Sequence, residues 1–354
     1  MSGRSPVTDP SRFRRPEAPF LRVCAGHQAQ RVPIWIMRQA GRYLPEYRKL
    51  KEDHSFLELS QTPDLVAEVT LQPLRRFPMD AAIVFADIMT PLHSMGFDID
   101  FAPGPVIGNP FRGPGSVDGL RTPEAEEIAP FLEEGLRAVA GELPSHQALI
   151  GFAGAPFTLF CYVVEGGGSK DFMTARSLLR SEPEAAEVLL SSLAETQTRY
   201  LRRQHGAGAD ALMLFDSWAG LLSEAEYRRV ALPYVRRIVE GLADVPAPLL
   251  YLPFGGSHLL SAVSELPVDV VGLDWRISLE VASGILGPDK TVQGNLNPAS
   301  LFAPPDDLRA DAGRVLREGI RARGHVFNLG HGIDRRTDPQ QVARLVDFVH
   351  EWGS

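Results

Sequence analysis

The chain has 354 residues, of which 44% are hydrophobic and 23% charged, with a formal net charge of −8. That composition suits a globular protein with a large core, argues against a nucleic-acid surface, and means that a polyanionic ligand would have to be held by a local basic pocket. No run of about eighteen apolar residues is present, so no membrane span is expected. Length alone allows roughly two domains, although α/β barrels reach this size as one. Residues 1–19 are rich in Arg, Pro and Ser, lack the apolar stretch of a secretory signal, and read as a flexible tail, with Phe20 opening a folded domain that runs over 20–354. Cys24 and Cys161 lie far apart, without Cys-x-x-Cys spacing, and predict buried thiols in a reduced, cytoplasmic setting.

Eight short apolar runs follow, at 32–37, 81–86, 148–153, 211–215, 249–252, 268–273, 291–294 and 326–329. Most are apolar on both faces, as parallel strands covered by helices must be. The stretches between them carry helix-start signals: Thr62-Pro63, Thr122-Pro123, Ser181 with Glu184, Ser223 with Glu226, and Asp338-Pro339. Eight strand-then-helix repeats without a dinucleotide fingerprint predict a single-domain (β/α)8 TIM barrel. Phe97-Asp98-Ile99-Asp100-Phe101, followed by Pro and Gly, predicts a short hairpin inserted after the second strand.

In such barrels chemistry gathers where strands end. Arg38 ends the first run, and Arg42 and Arg48 follow around Gly41 and Pro45. On these residues alone, the loop reads equally as a solvated turn or as a grip for carboxylates. Asp87 leaves the second run, either as a helix cap or ion-pair partner, or as a carboxylate placed where positive charge develops. The third run breaks at Gly154-Ala155-Pro156 into a helix bearing Tyr162, and a glycine triplet, Gly166-Gly167-Gly168, follows without a Walker pattern. Asp216-Ser217 ends the fourth run, outside any Gly-x-Ser-x-Gly frame. Asp274, then Asn295 with Asn297, and finally His331 between two glycines end the last three, whereas the fifth runs into Pro253-Phe254-Gly255-Gly256. No His-Glu-x-x-His pair occurs among the nine histidines, and no metal is expected.

Met37-Arg38-Gln39-Ala40-Gly41-Arg42-Tyr43-Leu44-Pro45-Glu46 resembles the N-terminal signature of the uroporphyrinogen decarboxylase family. Four more segments are similar to that family: Phe85-Ala86-Asp87-Ile88, Gly151 through Leu159, the turn at Ser217, and Asn328-Leu329-Gly330-His331-Gly332. The resemblance runs from about Phe20 to about Trp352. It implies cofactor-independent removal of four acetate carboxyl groups from uroporphyrinogen III, giving coproporphyrinogen III and CO2 in tetrapyrrole synthesis, by a homodimer. It also implies that Asp87 sits under the macrocycle as the transition-state stabiliser, and that Arg38 takes part in catalysis. Substrate contacts would come from Arg38, Gln39, Ala40, Gly41, Arg42, Asp87, Tyr162, Ser217 and His331. Three departures touch the rim: Pro253-Phe254-Gly255-Gly256-Ser257-His258, where many relatives carry a lysine; Asn297, where the family usually shows Asp; and Asp334-Arg335-Arg336 after His331, more charged than usual. A zinc-dependent corrinoid or thiol methyltransferase barrel is the nearest alternative, and it needs a His-x-Cys and distant Cys set that this chain lacks. A non-enzymatic binder of anionic ligands would use the same arginines but would find Asp87 an awkward charge.

Overall fold

The computed structural model describes residues 7–101 and 104–352. Nine strands form: β1 (Ala81–Ile83), β2 (Ile99–Phe101), β3 (Pro105–Ile107), β4 (Ala148–Gly154), β5 (Ala211–Asp216), β6 (Leu249–Pro253), β7 (Val270–Gly272), β8 (Thr291–Leu296) and β9 (His325–Leu329). Seven of them make one parallel sheet in the order β1-β4-β5-β6-β7-β8-β9. Nearly every residue of these seven is buried, because the sheet curls around a packed interior and helices cover its outside. β2 and β3 pair antiparallel as the inserted hairpin, and Val106 bridges to Gly167 beyond the end of β4. Two residues between β2 and β3 lie outside the described residues.

The expected first strand, 32–37, closes the barrel but is not a regular strand. It bridges β9 at Ile34 and Phe327, with Phe327 N–H donating to Pro33 C=O at 2.8 Å, and Ile34 C=O accepts from Asp80 N–H at 2.9 Å beside β1. Trp35 N–H makes a long bond of 3.4 Å to Phe327 C=O, and the segment's other donors go elsewhere. Pro33 has none; Ile34 N–H donates to Asp80 Oδ2, Ile36 N–H to Gln39 Oε1 and Met37 N–H to Asn328 Oδ1, at 2.8, 2.9 and 3.0 Å. Side-chain oxygens thus take the place of ladder partners, so the apolar pattern is right and the strand is not.

The reading of 1–19 as a flexible tail is also corrected for its described part, while residues 1–6 lie outside it. Asp80, Asp210 and Asp269 each stand one residue before a strand and accept a backbone N–H from Ile34, Leu149 and Leu249 respectively. One N–H is not enough for a buried carboxylate, which needs further donors. The N-terminal segment supplies two: Val7 N–H reaches Asp269 Oδ1 and Arg15 Nη1 reaches Asp210 Oδ2, both at 2.7 Å. Phe13 and Ala18 are buried, so residues 7–18 form a strap across the end of the barrel remote from the candidate site.

Some helix starts form as expected. Ser223 and Glu226 make a full capping box, and Asp338 caps through Gln340 N–H at 2.9 Å. Thr122-Pro123 opens no α-helix; a 3-10 turn at Ala125–Glu127, with Glu124 at its N-cap, comes first, the next α-helix spans Pro130–Glu142, and Thr122 Oγ1 instead bonds Ser192 Oγ at 2.7 Å. Ser181 ends the helix Met173–Ser181 and does not cap the one that follows.

Candidate active site

Gln39 holds the arginine loop from beneath. Its side chain is fully buried, accepting from Ile36 N–H at 2.9 Å and donating to Ala81 C=O at 3.0 Å, at the start of β1. Both ends of the amide are committed, so the Gln39 side chain supports the loop from beneath. Above it, Arg38 takes the left-handed region at φ 64°, sparsely used by residues other than glycine, which swings its side chain off the line of the segment. Gly332, after β9, leaves the space that the Arg38 side chain fills; a Cβ there would overlap the Arg38 Cδ. Ala40 is buried and Gly41 partly so, whereas Arg42 is exposed. Among the described residues neither Arg38 nor Arg42 has a carboxylate within ion-pair distance.

Asp87 leaves the end of β1 in an Asx turn, its Oδ1 accepting from Met89 N–H at 2.9 Å. Burial raises its pKa; the Met89 N–H and the Arg38 charge oppose that rise without cancelling it. The same Arg38 charge acts on Tyr162 and on His331, so all three groups lie within reach of one guanidinium. Tyr162 lies on the helix Pro156–Glu165, edge-on to Phe172 and Trp218 at 5.6 and 6.0 Å between ring centroids. Burial raises its pKa, and Asp87 adds to the effect. His331 is held at a pKa of about 4, by burial first and then by Arg38, with Arg276 adding to the effect, so its imidazole is neutral at physiological pH.

Ser217 follows β5, half-buried, with no hydrogen bond from its hydroxyl to the described residues. Its turn rests on Asp216, which is fully buried and accepts from Thr158 Oγ1 at 2.6 Å and Tyr251 Oη at 2.8 Å. Burial lifts Asp216 to about 6 against those two hydroxyls. Thr158 Oγ1 in turn accepts from Trp218 N–H at 3.2 Å, fixing the residue after Ser217. Asp216 is therefore structural, and Ser217 is the side chain left free to meet a ligand.

Two rim residues carry contacts that the sequence did not assign to the site. Phe254, after β6, packs on His331 with ring centroids 4.6 Å apart, and Arg276, after β7, lies over Phe254 and Trp275. A search for polar residues at strand ends passes over a phenylalanine, and Arg276 lies two residues beyond Asp274, the residue it singles out. Asp274 itself is buried and accepts from Gly255 and Arg276 N–H groups at 2.8 and 2.9 Å. Asn297, the departure after β8, caps the short helix Pro298–Phe302 through Ala299 N–H at 3.0 Å. Cys24 and Cys161 are fully buried and unpaired, and burial raises both thiol pKa values. Among the described residues, no three His, Cys, Asp or Glu side chains converge as metal ligands would.

A family model described as uroporphyrinogen decarboxylase (URO-D) matches residues 15–352. Curated uroporphyrinogen decarboxylases from Trichlorobacter lovleyi and Syntrophotalea carbinolica are 44% and 46% identical to this chain over 331 residues, covering 94% of it and 97% and 96% of their own lengths. Another, from Salinispora tropica, is 44% identical over 337 residues, covering 95% of this chain and 90% of its own. Among solved structures, a methyltransferase from Methanosarcina mazei superposes with a TM-score of 0.80 at 18% identity, covering 97% of this chain and 99% of that one. A B12-independent methionine synthase from Shewanella sp. W3-18-1 reaches a TM-score of 0.56 at 10% identity, covering 91% and 96%. At such identities, the structural likeness speaks for the barrel fold alone.

Proposed function

The chain belongs to the uroporphyrinogen decarboxylase family, and from that premise we propose that it converts uroporphyrinogen III to coproporphyrinogen III by removing four acetate carboxyl groups as CO2, without a cofactor. One observation carries the reading: an unpaired Arg38 and a partly buried Asp87 of raised pKa act on each other at the strand-end rim, where the Arg38 charge also reaches Tyr162 and His331. A pure anion-binding site has no use for the carboxylate. A decarboxylase does.

Loss of CO2 from an acetate leaves an electron pair that needs a sink. A pyrrole protonated on a ring carbon is such a sink: the pair of the breaking C–C bond flows into the cationic ring, leaving an exocyclic methylene. A proton then adds to the methylene carbon and the ring proton is lost, so each cycle exchanges one CO2 for one proton. Asp87 is the group placed to face the pyrrole N–H groups and stabilise the cationic ring. Arg38 and Arg42 would hold carboxylates and orient the macrocycle. A guanidinium is a poor acid, which favours a binding role for Arg38 over proton delivery. Tyr162, Ser217 and neutral His331 would donate or accept hydrogen bonds at the substrate, and Gln39, Ala40 and Gly41 would shape the loop.

We further propose that residues from Phe20 onward act as one catalytic domain, that two copies assemble as a homodimer, and that the enzyme works in the cytoplasm. Among the described residues, no helix is long and apolar enough to cross a membrane. Sedimentation would test the dimer. The activity is tested by anaerobic incubation with uroporphyrinogen alone, followed by chromatography of the oxidised products. Coproporphyrin without added metal or cofactor is expected. No conversion by well-folded protein would leave the anion-binder reading in its place.

A further inference from the structure

Arg276 is more rigidly held than a surface arginine needs to be. Its backbone N–H donates to Asp274 Oδ1 at 2.9 Å, and its Nη1 lies 3.3 Å from Asp274 Oδ2. Its guanidinium lies 4.3 Å from the Trp275 ring centroid and 5.0 Å from that of Phe254. Asp274 does not need that guanidinium, because two backbone N–H groups already serve its carboxylate. The side chain is nonetheless half exposed, at 50%. Stacking occupies the flat face of a guanidinium and leaves N–H groups on its edge to bind.

The neighbours say what it faces. Phe254, under Arg276, packs on His331 at 4.6 Å, and the positive charge of Arg276 acts on His331 together with that of Arg38. His331 feels two cations, Arg38 and Arg276, against one carboxylate, Asp274, whose oxygens already accept two backbone N–H groups; in a chain of net charge −8, that local positive excess is a site for an anion. We propose that Arg276 binds a carboxylate of the tetrapyrrole beside His331, and that this carboxylate is a propionate. The inference rests on the decarboxylase reading above. The choice of propionate follows from the reaction. A fixed guanidinium on an acetate would stabilise the charge that must be lost as CO2 leaves, and so would oppose the step. Propionates survive all four cycles and can be gripped tightly in each.

The test is steady-state kinetics of Arg276→Met and Arg276→Lys under anaerobic conditions, with uroporphyrinogen and with the hepta- and pentacarboxylate intermediates. Arg276→Met keeps the apolar stem and should raise KM about tenfold for all three substrates, as loss of a charge-assisted hydrogen bond does. Its kcat should stay within about twofold of wild type. Arg276→Lys should recover part of the affinity, with KM about threefold above wild type, and it carries the test if the methionine variant melts early. An unchanged KM, with wild-type enzyme active, overturns the proposal. So does a KM defect that disappears on the pentacarboxylate, which would place Arg276 on an acetate. A wild-type enzyme that converts none of the three substrates instead sinks the decarboxylase reading, and this proposal with it.

Discussion

Asp87→Asn separates the charge of the side chain from its shape. The amide oxygen can still accept from Met89 N–H, so the Asx turn at the end of β1 should survive. What is lost is one negative charge beneath the substrate. A carboxylate about 5–6 Å from a developing ring cation, at an effective dielectric near 20, is worth about 3 kcal/mol, or about a hundredfold in rate. Turnover should therefore fall by at least about a hundredfold, with KM changed by less than about threefold. Stability should move the other way. The folded-state pKa of Asp87 is raised, so ionised Asp87 is a net cost to the fold, and that cost grows as pH rises through the folded pKa. Asp87→Asn should therefore melt at the same temperature as wild type or higher at neutral pH. The assays are anaerobic turnover of uroporphyrinogen and calorimetry on the same preparation. Near-normal turnover would remove Asp87 from the chemistry, and a lower melting temperature would refute the view that its charge is held at a cost.

Gly332→Ala should leave the fold intact, since the three atoms nearest its Cβ all belong to the flexible Arg38 side chain. It should lower kcat/KM about tenfold by displacing that guanidinium; unchanged efficiency would show that the pose of Arg38 is immaterial. Gln39→Leu strands the Ile36 N–H and the Ala81 C=O, and should cost about 2–4 kcal/mol in urea unfolding. A loss below about 1 kcal/mol would mean that the loop is not held from beneath. His325 and His331 both have folded pKa values of about 4 against an ordinary 6.5, so the unfolded chain takes up protons first and stability is lost as pH falls from 6.5 toward 4. For buried His325 alone that is worth about 3 kcal/mol. His325→Gln should flatten the acid limb of a stability–pH curve, although Asp216, raised to about 6, works in the opposite sense over 3.8 to 6. An acid limb as steep as in wild type would refute the assignment.

Sequence alone determined the barrel and much of the rim. Strands buried on both faces must be apolar throughout, so seven of the eight runs could be placed to within a few residues. The residues that leave them at the same end then fall on one rim, which is how Arg38, Asp87, Tyr162 and His331 could be grouped before any coordinates. Tertiary structure decided whatever depends on partners distant in the chain. The segment 32–37 is apolar enough for a strand, but Asp80, Gln39 and Asn328 take the N–H groups of Ile34, Ile36 and Met37. The polar N-terminal segment looked unable to fold because nothing near it in sequence reveals that Asp210 and Asp269 await donors. The supporting hydrogen bonds of Gln39 and the stacked pose of Arg276 were illegible for the same reason. Residue type says what a side chain can bind, while burial and neighbours brought together by folding decide whether it is spent on the backbone or left open to a ligand.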